Sequence, residues 1–257
     1  MRIHFLTAIG LVATTGLSAQ SKPAPINTDR PDFTESSTLV PAHRLQFESG
    51  YTWMRASRNS GGGGSSTWPE FLVRYGLSTR FELRLGESFT TISPPTDQGS
   101  RFTARDDLYV GLKIGLAAQQ GSRPKLAILV QAMLPTGDGR MSAHTTLPGV
   151  AFLAGWGPSR NWSLDLGVEA NRVTGDAFEL APSASLSHTF SGRVGGFAEL
   201  YAFVPMLSEP GAPSPQYADV GLSLLLSNNL QIDGRIGAGL GGSADRYVVG
   251  FGFAIRR

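Results

Sequence analysis

Apolar and polar residues alternate with a period of two along most of this chain. In the first clear stretch, Leu45, Phe47 and Tyr51 fall on one face, while Gln46 and Glu48 fall on the other. The same alternation recurs as far as residues 249–255. Successive side chains of a β-strand point to opposite faces, whereas a helix would spread these charges around its circumference. The pattern therefore predicts β-strands.

About twelve such segments lie between residues 43 and 257, and each has about 9–11 residues. The usual strand of a globular protein has about 5–6 residues, whereas a tilted strand needs about 9–11 to cross a bilayer. No helical pattern separates the segments, which argues against a fold of alternating strands and helices. We therefore predict an all-β fold, a transmembrane antiparallel up-and-down β-barrel of about 12 strands.

The connections between these segments differ in length. The short ones are 76–79, 157–161, 189–192 and 227–229, and the longer ones are 55–67, 90–105, 136–146 and 204–215. Outer-membrane barrels have short turns at the periplasmic rim and long loops at the outer rim. We therefore expect the long loops to face outside the cell and both termini to face the periplasm.

The N-terminus has the features of a secretory signal peptide. Residues 1–4 are a short basic start, residues 5–17 are apolar or small, and residues 18–20 form a small-residue cleavage region. The apolar run is too short for a transmembrane helix of about 20 residues. We predict that residues 1–20 are a cleaved signal peptide, residues 21–42 a periplasmic lead-in or plug segment, and residues 43–257 the barrel. The expected location is the outer membrane of a Gram-negative bacterium.

The composition narrows the class further. Charged residues make up 16% of the chain, below the about 25% of an ordinary globular domain. After the signal peptide only three lysines remain, Lys22, Lys113 and Lys125, whereas the exposed face of a soluble β-sandwich is rich in lysine and glutamate. The net charge of +2 gives no reason to expect a nucleic-acid partner. The absence of cysteine excludes disulfides, cysteine-ligated metals and thiol catalysis.

Charged residues on the polar faces would all point into one lumen. This candidate site consists of Glu48, Glu70, Arg74, Glu82, Arg84, Lys113, Asp165, Glu169, Glu199, Asp233 and Arg235. Unpaired charges in a narrow barrel are costly, so many should pair across strands, and we expect Arg74 to lie opposite Glu82. The set is then either a structural ion-pair lattice or a polar permeation path. We expect a narrow pore, partly closed by loops or by residues 21–42.

Aromatic residues cluster near the ends of the apolar faces. They are Tyr75, Phe81, Trp156 and Trp162 at the short-turn rim, and Trp53, Phe89 and Phe178 at the long-loop rim. Two such girdles are typical of membrane interfaces. The alternative is a set of aromatic anchors in the core of a soluble protein.

Two motifs resemble a known family. Residues 27–36 read Asn-Thr-Asp-Arg-Pro-Asp-Phe-Thr-Glu-Ser, and Val40-Pro41 and residues 45–51, Leu-Gln-Phe-Glu-Ser-Gly-Tyr, follow. This opening, with the Leu-Pro-Thr-Gly-Asp turn at 134–138, resembles a family of bacterial outer-membrane transporters similar to proteins of the meta-pathway of phenol degradation. The resemblance covers about residues 27–257 and implies an outer-membrane barrel with a transport function.

The C-terminus departs from the usual pattern of such barrels. Their last strand usually ends in an aromatic residue that the assembly machinery reads. Here Phe253 and Ile255 are followed by Arg256 and Arg257. This departure argues against recognition by the usual assembly signal, but it does not change the prediction of a barrel.

Enzymatic chemistry finds little support in the sequence. Three histidines follow the signal peptide, His43, His144 and His188, and Ser142 and Ser187 lie beside two of them. The spacing shows neither the orienting third group nor the oxyanion hole of a triad, and no HExxH motif occurs. We therefore predict no catalytic residue, no metal and no cofactor.

Three functions remain open. The first is a transporter or narrow channel for small solutes, hydrophobic or aromatic by resemblance. The second is a barrel-wall acyl hydrolase or lipid-modifying enzyme, and the third is a non-transporting structural or adhesive barrel. The expected partners are outer-membrane lipid, the outer-membrane assembly machinery and an unidentified small solute.

Overall fold

A computed structural model describes residues 24–57, 62–95, 99–173, 177–206, 214–241 and 243–257. The predicted signal peptide, residues 1–20, lies outside the described residues. The strands are β1 (Leu45–Arg55), β2 (Gly64–Gly76), β3 (Phe81–Ser93), β4 (Phe102–Arg105), β5 (Leu108–Ala117), β6 (Lys125–Leu134), β7 (Leu147–Trp156), β8 (Trp162–Arg172), β9 (Phe178–Thr189), β10 (Val194–Ala202), β11 (Val204–Met206), β12 (Gln216–Ser227), β13 (Leu230–Gly239) and β14 (Tyr247–Arg256). Within the described ranges, no helix is long and apolar enough to cross a membrane.

Twelve long strands form one closed antiparallel barrel. Each pairs with the next long strand along the chain, and β1 pairs with β14 from Gln46 opposite Arg256 to Arg55 opposite Tyr247. The two short strands lengthen the wall, since β4 pairs with the end of β3 and β11 continues β10 alongside β9. Closure leaves no free sheet edge. The prediction of a 12-stranded up-and-down barrel is confirmed.

Alternation along the strands separates an apolar outer surface from a polar interior. On the outer face, Leu222 and Ile236 are 60% and 61% exposed. On the inner face, Arg74, Glu82 and Lys113 are completely buried. A soluble protein buries apolar side chains and exposes its charges, so this inverted arrangement belongs to a wall surrounded by hydrocarbon.

The strands β2 and β3 are longer than the sequence pattern predicts. Both continue into the ranges 55–67 and 90–105 that the pattern assigns to loops, and β4 lies wholly within the second range. There the Oγ1 atoms of Thr67 and Thr90 form a cross-strand hydrogen bond of 3.1 Å. Such threonine pairs stabilise a sheet without apolar alternation, which is why periodicity does not reveal this part of the wall.

Aromatic side chains face outward near both rims. Tyr75, Phe81 and Trp162 are exposed at the short-turn rim, and Trp53 and Phe178 are exposed at the long-loop rim. Exposed rings at these two levels fit the interfaces of a membrane. Trp68 and Tyr247 join the second group, although the sequence pattern did not include them.

Candidate functional site

The described part of the predicted lead-in, residues 24–42, is folded into the barrel. Near its start, the amide of Ile26 donates to the carbonyl of Asn228 at 2.8 Å, and Arg256 donates to the carbonyl of Ala24 at 2.6 Å. Further along, it contacts inward side chains of β1, β2, β3, β5, β10 and β13. We call residues 24–42 the plug segment.

Asp29 is the centre of the contacts that the plug segment makes. Its Oδ2 lies 3.0 Å from Arg74 Nη1, 2.9 Å from Arg84 Nη1 and 3.4 Å from Lys113 Nζ. The three cations come from β2, β3 and β5, which are consecutive neighbours in the barrel, and we call them the basic wall. One carboxylate of the plug segment therefore links three strands.

Two wall carboxylates complete this cluster. Glu82 accepts hydrogen bonds from Arg74 Nε at 2.8 Å and from the amide of Val40 at 2.6 Å. Glu48 accepts from Arg74 Nη1 at 2.9 Å and from the amide of Asp29 at 3.2 Å. Each carboxylate thus binds both the wall and the plug segment.

Glu35 supplies a second carboxylate from the plug segment. Its two oxygens accept hydrogen bonds from Arg84 at 2.8 and 3.0 Å, the paired geometry that suits a guanidinium. The Lys113 ammonium lies 3.5 Å from the same carboxylate and donates to the carbonyl of Ser36 at 2.8 Å. The basic wall is therefore saturated only when the plug segment is in place.

Arg30 points to the opposite side, toward the seam between β1 and β14. Its Nη1 lies 2.6 Å from Glu70 Oε2, and its Nε lies 3.7 Å from Asp233 Oδ1. The guanidinium rests on Gly50 and Gly252, which face each other across the seam. A Cβ at either position would overlap the guanidinium, so this close approach requires glycine.

The plug segment meets β10 through its backbone. The amides of Phe33 and Thr34 donate to the Glu199 carboxylate at 2.8 and 2.5 Å. Asp219 of β12 is the cross-strand partner of Glu199, and Asp165 stands on β8, which is separated from β10 by β9 alone. We call Asp165, Glu199 and Asp219 the acidic wall. Backbone N–H groups can stabilise a buried carboxylate there without a cation.

Apolar contacts also hold the plug segment. The ring of Phe33 stacks on Tyr201 with centroids 4.5 Å apart, and Tyr201 stacks on Tyr217 at 4.9 Å. On the other side, Leu39 packs against a small buried cluster around Leu129. Phe33 thus caps an aromatic column inside an otherwise polar lumen.

Asp29 and Asp32 have opposite pKa shifts. Burial by itself would raise the pKa of Asp29, but the three cations of the basic wall outweigh burial and hold this pKa well below its ordinary value. Burial raises the pKa of Asp32, and the nearby Glu199 carboxylate raises it further. The lumen therefore favours a charged Asp29 and a neutral Asp32.

The eleven predicted lumen charges lie on the inner face in separate groups. Glu48, Arg74, Glu82, Arg84 and Lys113 surround Asp29; Glu70 and Asp233 flank Arg30; Asp165 and Glu199 belong to the acidic wall; Glu169 accepts hydrogen bonds from Gln131 and Asn171; and Arg235 pairs with Asp219 at 3.2 Å. Most of the ion pairs run through the plug segment rather than directly from strand to strand.

The predicted register between β2 and β3 is wrong. Arg74 lies opposite Arg84, and Glu82 lies opposite Gly76, two residues away from the predicted pairing. Arg74 still reaches Glu82 diagonally at 2.8 Å because its side chain is long. The two arginines can face each other because the Asp29 carboxylate lies between their guanidinium groups.

Sequence reasoning missed the residues that bring these groups together. Asp29, Arg30 and Glu35 stand in a segment without periodicity, and their signals were the density of charge in residues 27–36 and the resemblance of that motif to a known family. Asp219 follows the inward alternation of β12 and could have been included on that basis.

The serine and histidine pairs do not form a catalytic arrangement. His144 Nε2 lies 3.2 Å from the carbonyl of Gly139. His188 lies on the outer face against Trp162, with ring centroids 4.3 Å apart, and its neighbour Ser187 therefore faces inward. Among the residues that the structure describes, no group of three or more histidines or carboxylates is placed to hold a metal.

A polar cavity remains beside the plug segment. It has a volume of about 240 Å³ and is lined by Asp32 and Thr34 of the plug segment and by Asp165, Ser187 and Ser223 of the wall. Its lining extends to turn residues of the short-turn rim. The lumen is therefore occluded but not completely filled.

Comparison with known proteins places the barrel among outer-membrane folds. The model of the family described as "Putative MetA-pathway of phenol degradation" matches residues 28–256. An outer membrane channel from Pseudomonas putida F1 has a TM-score of 0.65 at 12% identity, covering 90% of this chain and 100% of that chain.

Two autotransporter domains share the barrel more distantly. The translocator domain of NalP from Neisseria meningitidis has a TM-score of 0.51 at 12% identity, covering 83% of this chain and 88% of its own. The β-domain of the Bordetella autotransporter BrkA has a TM-score of 0.50 at 13% identity, covering 83% and 99%. No curated protein sequence matches the chain significantly. At these identities, the structural likeness establishes the fold.

Proposed function

Because this chain belongs to the family of the MetA-pathway of phenol degradation, whose model matches residues 28–256, we propose that it is an outer-membrane channel for small solutes, closed by its own plug segment. The N-terminal residues 1–20 would serve as the export signal. The short-turn rim and both termini would face the periplasm.

The placement of the plug segment is the observation that carries this proposal. A small barrel with a purely structural role can fill its lumen with wall side chains. Here a separate stretch of chain fills it, and charged and polar groups make most of its contacts. Buried ion pairs give little net stability compared with apolar packing, because both partners lose hydration. A plug held in this way can be released at modest free-energy cost when water or a solute replaces its contacts.

The two walls define what a solute would meet once the plug segment moves. The basic wall, with Arg74, Arg84 and Lys113, would lose Asp29 and Glu35 as partners, and Glu199 of the acidic wall would lose two backbone donors. The open lumen would then be net positive on one side, where Glu48 and Glu82 offset part of the charge, and net negative on the other, where Arg235 offsets part. Such a transverse field orients polar solutes and makes each wall charge a local barrier or binding step.

The aromatic column supports an aromatic solute class. Phe33 contributes a ring to the stack on Tyr201 and Tyr217, both of which are otherwise buried. Release of Phe33 would expose a ring face that another aromatic ring can cover at the same separation. A phenol-sized solute offers one ring and one polar group, which matches this column beside polar walls.

Deletion of the plug segment tests the proposal. The wild-type chain is compared with a variant in which residues 25–40 are replaced by a glycine–serine linker of equal length, which preserves the connection to β1. We expect single-channel conductance in planar bilayers to rise several-fold, and phenol uptake into vesicles to rise with it. Equal conductance of the two proteins would show that the plug segment does not close the lumen. Vesicles that contain an inactive barrel of the same size serve as the baseline for phenol leakage.

A further inference from the structure

The two rims of the barrel carry different charges. At the short-turn rim, every connection except the two-residue turn 228–229 carries an exposed arginine, and one more exposed arginine stands at the chain end. None of these connections contains Asp or Glu. These arginines are Arg44, Arg80, Arg123, Arg160, Arg193 and Arg257. At the opposite rim both signs occur, for example in Asp107, Asp138 and Arg140. The short-turn rim is therefore a ring of one sign, suited to anions.

A groove runs along the outer wall on one side of this ring. It has a volume of about 1010 Å³ and crosses β9, β10, β12, β13 and β14. Its floor is low because Gly196, Ala198 and Gly234 face outward there, and Leu222, Ile236 and Phe251 form its sides. The groove is apolar and lies at the depth where hydrocarbon surrounds the barrel.

The groove ends at the arginine ring. At this end Trp162, His188 and Gly196 are direct neighbours on three adjacent strands. Arg160 precedes Trp162 by two residues, and Arg193 precedes Gly196 by three. Adjacent strands are about 4.8 Å apart, so the two turns are separated by about 10 Å. Two arginine side chains can meet at one phosphate over that distance.

His188 adds a polar group at the same place. Its ring lies between Trp162 and Phe190, with centroids 4.3 and 5.1 Å away. Its Nδ1 is buried and has no hydrogen-bond partner. A buried polar atom without a partner is costly, and a lipid headgroup could satisfy it once the ring turns to expose it.

We propose that this groove binds one anionic phospholipid of the periplasmic leaflet. An acyl chain lies in the groove, the phosphate pairs with Arg160 and Arg193, and Trp162 lies at the level of the glycerol. The proposal rests on the membrane location given under the proposed function, but not on channel activity. A soluble acidic partner could use the arginine ring, but it could not enter a groove on the hydrocarbon-facing wall.

Native mass spectrometry of the whole protein tests this site. The protein in detergent is mixed with dioleoylphosphatidylglycerol or with dioleoylphosphatidylcholine, which has the same acyl chains but no net charge. We expect one phosphatidylglycerol to be retained in preference to phosphatidylcholine. The double variant Arg160→Gln/Arg193→Gln should retain it roughly 25-fold less, since each arginine near a headgroup contributes about a factor of five.

Two further variants separate the groove from the ring. Arg80→Gln/Arg123→Gln removes the same charge from the same rim away from the groove and should leave retention unchanged. Ala198→Leu/Gly234→Leu fills the groove and should weaken retention of both lipids. A Cβ at Gly234 meets its nearest atom at 3.5 Å, an ordinary contact, and both positions face outward from the barrel, so this variant should fold. Heat-modifiable migration in gels checks folding of every variant.

Three results would overturn the proposal. They are equal retention of the two lipids by the wild type, equal losses in the two arginine double variants, and unchanged retention after the groove is filled. The second would assign the effect to the ring as a whole. None of these results bears on conductance, so the proposed function is tested separately.

Discussion

The guanidinium of Arg30 occupies the space that a side chain at Gly50 would fill. Gly252, the cross-strand partner of Gly50, forms the other half of this cradle. The barrel seam and the plug segment therefore fit together only because both seam positions lack a Cβ. Glu70 and Asp233 then hold the charge in place.

Substitution of Gly50 should loosen the plug segment. Gly50→Ala forces the Arg30 guanidinium away from Glu70 and Asp233, and because the displaced atoms are the far end of a flexible side chain, the barrel wall itself should change little. We expect more frequent channel openings in planar bilayers, with the barrel still folded. Gly234→Ala is the matched control, because a Cβ at Gly234 meets its nearest atom at 3.5 Å. Similar conductance of the two variants would show that the cradle does not hold the plug segment.

Asp29→Asn and Asp32→Asn should have different effects although both side chains are buried in the plug segment. Asp29→Asn removes the charge that the basic wall surrounds, and breaking a buried ion cluster costs about 3–5 kcal/mol. Asp32→Asn imitates the neutral form that its raised pKa favours and needs no proton uptake, so at neutral pH it should hold the plug segment at least as firmly as the wild type does. Urea titration of the folded barrel and single-channel recording measure both effects. A larger effect of Asp32→Asn would contradict the assignment of charges.

The closed state should be most stable at mildly acidic pH. The pKa of Asp29 is lowered in the closed state, so its charge stabilises the inserted plug segment at pH values above the free carboxyl pKa of about 3.9. This stabilisation is lost as the pH falls below that value. The raised pKa of Asp32 has the opposite effect on stability: insertion of the plug segment becomes weaker as the pH rises above about 3.9, because the released carboxyl group loses its proton there.

Open probability should therefore fall as the pH is lowered from neutral toward about 4, and it should rise again below about pH 4. In Asp32→Asn the fall above about pH 4 should become smaller, whereas the rise at low pH should remain. Single-channel recording over this range measures both arms. A wild-type response that rises steadily with acidification would show that Asp32 does not titrate as described.

Side chains on the two faces of β3 should respond differently to substitution. Leu83 is 45% exposed on the outer face, and Leu83→Arg should cost about 2–4 kcal/mol near the bilayer midplane. From alternation alone, Arg84→Gln would be nearly neutral. The structure predicts a larger cost, because Arg84 contacts both Asp29 and Glu35. Folding into lipid vesicles compares the two variants. Normal folding of Leu83→Arg would contradict the assignment of the outer face.

The orientation in the membrane can be tested with single cysteines. Ser65 lies at the long-loop end of β2, and Ser227 lies at the end of β12 beside a short turn. An impermeant thiol reagent on whole cells should label Ser65→Cys and not Ser227→Cys, because the long loops should face outside. Labelling after cell lysis controls for access to both positions. The reverse labelling pattern would show that the short turns, and not the long loops, face outside the cell.

Alternation was sufficient to predict the barrel, because the face of each strand residue is a local property. It assigned Leu83 to the outer face and Arg84 to the inner face from their positions in β3 alone. The resemblance of residues 27–36 to an outer-membrane family is likewise confirmed by the family match.

Register and the placement of the plug segment could not be predicted in this way. A shift of two residues between β2 and β3 leaves every side chain on its own face, so alternation cannot exclude it. The contact of Asp29 with Lys113 joins residues 84 positions apart in sequence, and no periodicity records such a contact. Gly50 looked like one small residue among many until Arg30 was placed against it.

The plug segment contacts β14, the last strand of the barrel. Arg256 binds the carbonyl of Ala24 across 232 positions, and Arg30 binds that of Phe251 across 221. Native contacts of such long sequence separation form late, because the intervening chain must be ordered first. We therefore expect the plug segment to take up its position only after β14 has paired with β1. Occupancy of the lumen by the plug segment would then mark a completed barrel, and a barrel whose seam had failed to close would remain unplugged.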